Sequence, residues 1–325
     1  MKVLVIGGSG FIGSHIVDSL LKHGQRVRVF DRQPERFRAP VSGVEYQFGN
    51  FGDRMALIDA LAGVDAVMHL VSTTFPGTAD LDPKTDVFDN LGGTLSLMDA
   101  MIGMGLSRIL FLSSGGTVYG PPDIVPVPET HPLRPINSYG IVKSAIEHYL
   151  EMYRRTRGLS PVSIRASNPY GPRQGHSGVQ GVISTFLNKT LADERVEIWG
   201  DGSVVRDYLH VADLAELCVL ALQSEKTGPY NAGSGKGVAL REIVEIIGEV
   251  IGRDLDPLYK PGRAIDVPRS VLDVSRAQAD FGWETKIGLR DGIAATYAWM
   301  CSPSDEPSSS VVGSGTAMAG SSDQD

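Results

Sequence analysis

The stretch VLVIGGSGFIGSH, residues 3–15, decides the fold of this chain. A short apolar run, Val3–Ile6, ends in glycines, and Ser14–His23 then carries apolar residues at helical spacing. A second strand is predicted at Arg26–Phe30 and ends at Asp31. A strand, a glycine turn, a helix and a second strand are typical of the first unit of a dinucleotide-binding fold.

Glycine spacing in this stretch predicts where a dinucleotide binds. Gly7, Gly10 and Gly13 form G-x-x-G-x-x-G, one residue off the G-x-G-x-x-G pattern. Gly7 permits a tight turn, Gly10 lets the backbone approach the pyrophosphate, and Gly13 lets the helix pack closely on the strand. The helix N-terminus offers free N–H groups to the phosphates, so we also expect Phe11 and Ile12 to contact the cofactor.

The residues that follow the next two strands indicate which dinucleotide is bound. Asp31 favours NAD over NADP, because a carboxylate binds the ribose hydroxyls and repels a 2′-phosphate. Arg32 leaves NADP open, since a cation there can receive that phosphate. Asn50 and Phe51 follow the third predicted strand and are expected to meet the adenine.

Strands and helices alternate through the first half of the chain. After the first unit, strands are predicted at Val44–Phe48, Ala66–Val71, Arg108–Ser113 and Val162–Ala166, and helices at Ala56–Leu61, Asn90–Met104 and Tyr139–Arg155. This alternation predicts an α/β fold with a Rossmann-like, doubly wound parallel sheet.

The pattern changes after about Asn168, where segments become shorter and richer in glycine and proline. Further helices are predicted at Val179–Ala192, Val211–Gln223 and Leu240–Ile251. We therefore expect an NAD-binding domain over residues 1–168 and a smaller α/β domain, mainly for substrate binding, over 169–300. Residues 301–325 are rich in Ser, Gly and Asp, which predicts a disordered tail.

A tyrosine and a lysine supply the predicted chemistry. Tyr139 and Lys143 are four residues apart and therefore share one helix face. A phenol has a pKa of about 10, too high for a base at neutral pH. We expect the neighbouring ammonium and a positive nicotinamide ring to lower the pKa of Tyr139. Together with the glycine motif, the pair predicts redox chemistry on a hydroxyl group.

Composition excludes several other classes. The 325 residues carry a net charge of -8, and no basic block suits nucleic-acid phosphates. Cys218 and Cys301 are the only cysteines, and no His/Cys cluster has the spacing of a metal site. No signal peptide and no apolar stretch of membrane-spanning length is visible. We expect a cytoplasmic protein without a metal.

Several motifs in order resemble those of extended short-chain dehydrogenases/reductases, in the NAD-dependent epimerase/dehydratase group. The motifs are GGSGFIG, DNLGGTL, SSGGTVYG, YGIVK, SNPYGPRQ, GDGSVVRDYLHVADLA and NAGSG, which span Gly7 to about Trp283. The resemblance implies bound NAD, a nucleotide-diphosphate sugar as substrate and a homodimer. It adds five residues to the expected cofactor site: Leu70, Val71, Ser72, Asn90 and Ser113.

The same resemblance carries substrate-binding roles onto particular positions. Asn168 and Arg206 resemble the family residues that contact the diphosphate, and a guanidinium fork suits phosphate oxygens. Arg263 and Asp266 resemble the pair that meets the diphosphate and the ribose. Glu197 and Trp199 are similar in position to the segment that passes the uracil.

The reaction class depends on SSGGTVYG. Dehydratases of this family usually carry Asp-Glu where this chain has Gly116 and Thr117, because water elimination needs a carboxylate. The resemblance therefore implies a 4-epimerase similar to the UDP-glucose 4-epimerases. A dehydratase, a reductase and a UDP-uronic acid 4-epimerase remain alternatives.

Two departures affect the sugar site. The third serine common in such epimerases is Gly115 here, so Thr117 or Ser114 must supply the second hydroxyl, or Tyr139 acts largely alone. Ser270 stands where some epimerases carry a bulky aromatic residue. That small side chain suggests room for an N-acetyl group.

Overall fold

The computed structural model describes residues 1–74, 77–174, 181–262 and 267–302. Its strands are β1 (Lys2–Ile6), β2 (Arg26–Asp31), β3 (Val44–Phe48), β4 (Ala66–His69), β5 (Arg108–Ser114), β6 (Ser160–Ala166), β7 (Asn168–Tyr170), β8 (Glu197–Trp199), β9 (Val205–His210), β10 (Gly228–Ala232), β11 (Gly237–Ala239), β12 (Leu258–Lys260) and β13 (Arg269–Ser270). Its α-helices are α1 (Phe11–Lys22), α2 (Arg54–Leu61), α3 (Pro83–Asp86), α4 (Gly93–Gly103), α5 (Ser138–Arg157), α6 (Val182–Leu191), α7 (Val211–Gln223), α8 (Leu240–Ile251), α9 (Ser275–Phe281) and α10 (Leu289–Cys301).

Seven strands form one sheet in the order β10-β6-β5-β4-β1-β2-β3. Every neighbouring pair in this sheet is parallel. The chain winds outward from β1 in one direction through β2 and β3, and in the other through β4, β5 and β6. Ligands of such sheets bind at the carboxyl edge where the winding reverses, here between β1 and β4. The predicted Rossmann-like α/β fold is confirmed.

Alternate residues of β1 reach opposite faces of the sheet. Val3 and Val5 belong to the apolar cluster on one face, and Leu4 and Ile6 belong to the cluster on the other. All four side chains are buried. Helices cover both faces, which explains why the strand is a continuous apolar run and not an alternating one.

The helix predicted over Asn90–Met104 has a different start. Residues Val87–Gly92 form a π-helical turn, and α4 begins only at Gly93. Apolar periodicity cannot distinguish this wider turn from an α-helix, and such turns are frequent at functional sites. The first residues of the helix predicted over Val179–Ala192 lie outside the described residues. Within the described residues, α6 begins at Val182. Across the described ranges, no helix has both the length and the apolar character to cross a membrane.

The second half of the chain contributes to both parts of the fold. Strands β11, β9 and β13 form a small sheet that β7 joins through β9, and β12 pairs with β8. However, β10 returns to the edge of the large sheet beside β6. Helix α7 packs on α1, where Ser19 Oγ donates to Glu216 at 3.1 Å. The second half of the chain is therefore packed against the large sheet and its helices.

One ion pair is buried between strand β6 of the large sheet and helix α5. Arg165 on β6 contacts Glu147 on α5 at 2.7 Å, and their side chains are 5% and 7% exposed. Glu147 also accepts from Ser113 Oγ at 2.5 Å. Arg165 donates further to Tyr119 at 2.9 Å. These bonds satisfy two charges that would be costly to bury alone.

We expect Arg165→Met to lower the free energy of unfolding by about 3–5 kcal/mol, because it leaves the Glu147 carboxylate buried without its partner. Arg195→Met is the matched control: Arg195 pairs with Asp256 at 2.7 Å, but both side chains are largely exposed. That loss is expected to cost about 1 kcal/mol or less. Urea unfolding followed by circular dichroism measures both. Equal midpoints for the two variants would contradict the assignment.

Candidate active site

The turn after β1 brings helix α1 against the strand. A Cβ built on Gly13 would lie 2.1 Å from the carbonyl oxygen of Gly7, so only glycine fits there. Gly7 itself has a φ of +87°, which favours glycine. Gly10 caps α1 without a side-chain hydrogen bond. The first N–H groups of α1 are therefore available to an anion, as a dinucleotide pyrophosphate requires.

Asp31 ends β2 beside this turn. Its Oδ2 accepts from Ser9 N at 3.0 Å, and its Oδ1 accepts from Arg32 N at 2.7 Å. The carboxylate is thus fixed next to the glycine turn, and the Arg32 side chain is exposed. This arrangement fits the ribose of a dinucleotide.

The two residues predicted to meet adenine have different environments. Asn50 is exposed, and its Oδ1 accepts from Gly52 N at 3.0 Å. Phe51 is only 4% exposed, and its ring stacks on His69 with a centroid distance of 4.9 Å. The Phe51 side chain is therefore part of the core beneath the cavity. The ring packs on His69 and among the buried apolar residues of that cluster, and a contact between residue 51 and the adenine stays a prediction.

A cavity of about 790 Å³ runs along the carboxyl edge of the large sheet into the second half of the chain. Most predicted site residues lie on its wall: Gly7, Gly10, Phe11, Ile12, Gly13, Leu70, Ser72, Ser113, Ser114, Thr117, Tyr139, Lys143, Asn168, Glu197, Trp199 and Arg206. Asp31, Arg32, Asn50, Phe51, Val71 and Asn90 do not line it. Arg263 and Asp266 lie outside the described residues.

Tyr139 and Lys143 face this cavity from the first turns of α5. Lys143 Nζ donates to the carbonyl oxygen of Leu112 at 2.9 Å and lies 5.5 Å from the centre of the Tyr139 ring. Burial lowers the pKa of Lys143 to about 8, although Asp86 and Glu147 act in the opposite direction. The hydrogen bond to β5 thus holds the ammonium near the Tyr139 ring, and also 4.7 Å from the centre of the Phe111 ring.

A lowered pKa was expected for Tyr139, but in the chain without cofactor its pKa is raised. Burial raises this pKa, and the negative charge of Asp86 raises it further. Desolvation of the phenolate is thus the main cause of the raised pKa in the chain alone. The positive charge of an oxidised nicotinamide ring remains the predicted source of a lower pKa.

Asp86 is a buried carboxylate that sequence reasoning missed. Its Oδ1 accepts from Thr74 Oγ1 at 2.6 Å and from Asn90 Nδ2 at 2.9 Å. Its Oδ2 accepts from Ser138 Oγ at 2.7 Å, directly before Tyr139. The available signal was the spacing of Asp86 and Asn90, which are four residues apart across the π turn.

Asn90 supports the cavity wall from behind. Its Oδ1 accepts from Thr73 N at 2.9 Å, and its Nδ2 also donates to Thr73 Oγ1 at 3.0 Å. The neighbouring Thr74 lines the cavity. Asn90 therefore shapes the loop after β4 without lining the cavity itself.

Three cavity residues have distinct hydrogen-bonding states. Ser113 Oγ donates a hydrogen bond to Glu147, as described above. Thr117 Oγ1 is buried, and it has no hydrogen-bond partner among the described residues. Asn168 Nδ2 donates to the carbonyl oxygen of Asp207 at 2.9 Å, so one of its amide hydrogens is already engaged.

The far end of the cavity holds the residues predicted for the nucleotide. Arg206 Nη1 donates to Val267 O at 2.6 Å, which holds the guanidinium on the cavity wall. Glu197 contacts Lys260 at 2.7 Å, and that hydrogen bond is the main cause of a lowered pKa for Glu197. Lys260 Nζ also lies 5.5 Å from the centre of the Trp199 ring. The wall here contains both charges and an aromatic face.

Several lining residues were not predicted from the sequence. They include Thr74, Leu112, Ser167, Tyr170, Phe186 and Tyr208. Ser270, proposed above to leave space in the sugar site, is not among the residues that line the described cavity. It pairs with Arg206 across β13 and β9.

We expect Gly13→Ala to abolish NAD retention, because its methyl group would displace α1 from the β1 turn. Gly103→Ala is the control, since a Cβ there meets nothing within 4 Å and Gly103 lies at the end of α4. Chromatographic measurement of NAD released from the denatured proteins distinguishes the two. A Gly13→Ala protein that carries as much NAD as wild type would contradict this role.

Known proteins are similar to this chain in both sequence and fold. The NAD dependent epimerase/dehydratase family matches residues 3–233. A putative UDP-glucose 4-epimerase of Methanocaldococcus jannaschii is 35% identical over 92% of this chain and 98% of that protein. The Thermotoga maritima UDP-glucose 4-epimerase, solved with UDP-glucose, superposes with a TM-score of 0.88 at 34% identity, over 92% of this chain and 98% of that one. The Thermus thermophilus UDP-glucose 4-epimerase, solved with NAD, gives a TM-score of 0.85 at 37% identity, over 92% and 99%. The chain therefore belongs to the NAD dependent epimerase/dehydratase family.

Proposed function

We propose that this protein is an NAD-dependent nucleotide-sugar 4-epimerase that acts on UDP-glucose and UDP-galactose or on their N-acetyl derivatives. The main support for this proposal is the chemistry of the cavity wall around Tyr139. Among the described residues that line the cavity, Glu197 is the one carboxylate, and it is paired with Lys260 at the far end. Water elimination requires an acid and a base beside the sugar, and this wall offers a phenol and hydroxyls instead.

The residues of the chain divide the work of a reversible oxidation at C4. NAD, when bound, supplies the acceptor and the donor of hydride. Tyr139 takes the proton of the sugar O4 hydroxyl and later returns it. Lys143 holds a positive charge beside the phenol, and Thr117 offers its unpartnered hydroxyl to the same oxygen. The 4-keto sugar turns between the two transfers, so the substrate is inverted at C4 with no net oxidation.

Contacts along the cavity support a nucleotide-diphosphate group at its far end. Arg206 suits the diphosphate because a guanidinium forms paired hydrogen bonds to phosphate oxygens. Asn168 lines the same cavity, and Glu197 and Trp199 offer a polar edge and an aromatic face to a base. Arg263 and Asp266 remain predicted partners of the diphosphate and the ribose. This division assigns residues 1–168 mainly to NAD and residues 169–300 mainly to the substrate. We propose that the protein is cytoplasmic, where both compounds are present.

Product analysis without added cofactor tests the proposal. The purified protein is incubated with UDP-glucose, UDP-N-acetylglucosamine and UDP-glucuronic acid separately, and the products are separated by chromatography. We expect 4-epimers of unchanged mass. A reductase would instead consume added NADH or NADPH in proportion to product, and a dehydratase would release a product lighter by one water. Either result would overturn the proposal, whereas turnover of UDP-glucuronic acid alone would reassign the sugar.

We expect Tyr139→Phe to reduce turnover by at least about a thousandfold while NAD stays bound, because the general base is removed but the glycine turn is untouched. Tyr149→Phe is the matched control on the same helix, since Tyr149 is partly exposed on the surface. Initial rates of epimer formation and NAD content are measured for both. Persistent full activity of Tyr139→Phe would exclude the tyrosine as the base.

We also propose a homodimer. Helix α5 and the segment before α4 carry exposed apolar side chains: Leu81, Val87, Phe88, Ile141 and Met152. Phe88 is 75% exposed and Leu81 is 82% exposed. Exposed apolar groups of this number on neighbouring elements are typical of a surface that another protein covers. Resemblance to the family assigns that surface to a second copy of the chain.

Phe88→Asp is expected to convert the dimer to a monomer, because the charge would have to be buried without a partner. The control is Ile124→Asp, which introduces the same charge at another exposed apolar residue. Size-exclusion chromatography with light scattering measures the molar mass of each variant. A wild-type molar mass equal to that of one chain, 34.8 kDa, at micromolar concentration would contradict the dimer.

A further inference from the structure

Gly115 stands where related epimerases commonly carry a third serine, and packing leaves no room for a side chain there. A Cβ built on Gly115 would lie 2.6 Å from Leu272 Cδ1 and 2.8 Å from the backbone oxygen of Arg165. The second distance involves backbone, so a side chain at this position could not be relieved by a rotamer change. Leu272 is buried and occupies the space beside Gly115. Position 115 therefore cannot present a hydroxyl to the sugar.

Ser167 lies across from this position, directly after the neighbouring strand β6. Strand β5 pairs with β6 in the register Ser114 to Ala166, and Gly115 N donates to Ala166 O at 2.7 Å. Ser167 is the next residue after Ala166. A Cβ built on Gly116 would lie 3.8 Å from the backbone oxygen of Ser167. Ser167 N donates to Ala232 O at 2.8 Å, so the backbone that carries its hydroxyl is fixed.

The hydroxyl of Ser167 differs from other hydroxyls on the cavity wall. Ser72 Oγ donates to Thr74 O at 2.8 Å, Thr74 Oγ1 to Asp86 at 2.6 Å, and Ser113 Oγ to Glu147 at 2.5 Å. By contrast, Ser167 Oγ and Thr117 Oγ1 are buried, and neither has a partner within the described ranges. Both residues line the same cavity as Tyr139. A buried hydroxyl without a partner costs stability, which indicates that a ligand supplies the missing bond.

We propose that Ser167 is a substrate-binding residue whose hydroxyl, with that of Thr117, hydrogen-bonds the reacting sugar hydroxyl in place of the side chain that Gly115 lacks. The inference rests on the proposed 4-epimerase function. As Tyr139 takes the O4 proton, Ser167 Oγ–H donates a hydrogen bond to the oxygen that develops negative charge, and its own proton stays on Oγ. This hydroxyl comes from the residue after β6 and not from position 115.

Ser167→Ala tests this assignment. We expect kcat for epimerisation to fall on the order of tenfold to a hundredfold, because one donor to a developing oxyanion is lost while Thr117 and Tyr139 remain. The NAD content should be unchanged. The melting temperature should be equal or higher, because the variant loses a hydroxyl that the folded chain leaves unsatisfied. A merely structural serine would give the reverse pattern, with lower stability and an unchanged rate.

Ser144→Ala is the matched control. Its hydroxyl is also buried, but it is satisfied by Gly140 O at 2.8 Å. We expect this variant to epimerise at the wild-type rate. In addition, Ser167→Thr keeps the hydroxyl and should recover most of the kcat that Ser167→Ala loses.

The outcomes separate this inference from the proposed function. If wild type does not epimerise any UDP-sugar, the proposed function fails. If wild type epimerises and Ser167→Ala keeps the wild-type kcat, only the role of Ser167 fails. Ser167→Ala that loses NAD, and regains full kcat when NAD is added in excess, would assign the hydroxyl to the nicotinamide amide and also overturn the inference.

Discussion

The close approach of helix α1 to the β1 turn is the contact on which the rest of the structure depends. There is no space for a side chain on Gly13, because the carbonyl oxygen of Gly7 occupies it. This contact places the uncapped start of α1 at the carboxyl edge of β1. The strand order then brings the ends of β4, β5 and β6 along the same edge. One cavity wall thus collects a phosphate-binding turn, a tyrosine and hydroxyl groups from distant parts of the sequence.

The electrostatics behind Tyr139 suit a reaction that runs in both directions. Burial and Asp86 raise the pKa of Tyr139, whereas burial lowers the pKa of Lys143 to about 8. The chain by itself therefore favours the neutral phenol, whereas the lysine remains mainly charged at neutral pH. A base at this position needs the positive charge of an oxidised nicotinamide ring nearby. Proton abstraction is in this way linked to the redox state of the cofactor, as a reversible cycle requires.

Sequence patterns predicted the features that depend on local spacing, such as the bounds of β3, α7 and α8 and the residues of the glycine turn. The π turn at Val87–Gly92 was not predictable, because its apolar spacing resembles that of an ordinary helix. The burial of the Phe51 ring was not predictable from its place after β3, because it depends on stacking with His69 at the end of another strand. Asp86 and Ser167 likewise belong to the site through contacts with distant parts of the chain. Unsatisfied polar groups are the more informative signal here, because they point toward a ligand that sequence motifs do not describe.

The shape of the cavity wall beside Gly115 depends on another buried carboxylate, Asp207. Asp207 is fully buried, which raises its pKa, and it accepts from the backbone nitrogens of Ser234 at 2.7 Å and Leu272 at 3.2 Å. These bonds fix the Leu272 backbone, and its side chain then fills the space beside Gly115. A larger residue at 115 would therefore have to displace a segment that Asp207 holds in place. The small sheet thus determines which side chain position 115 can carry.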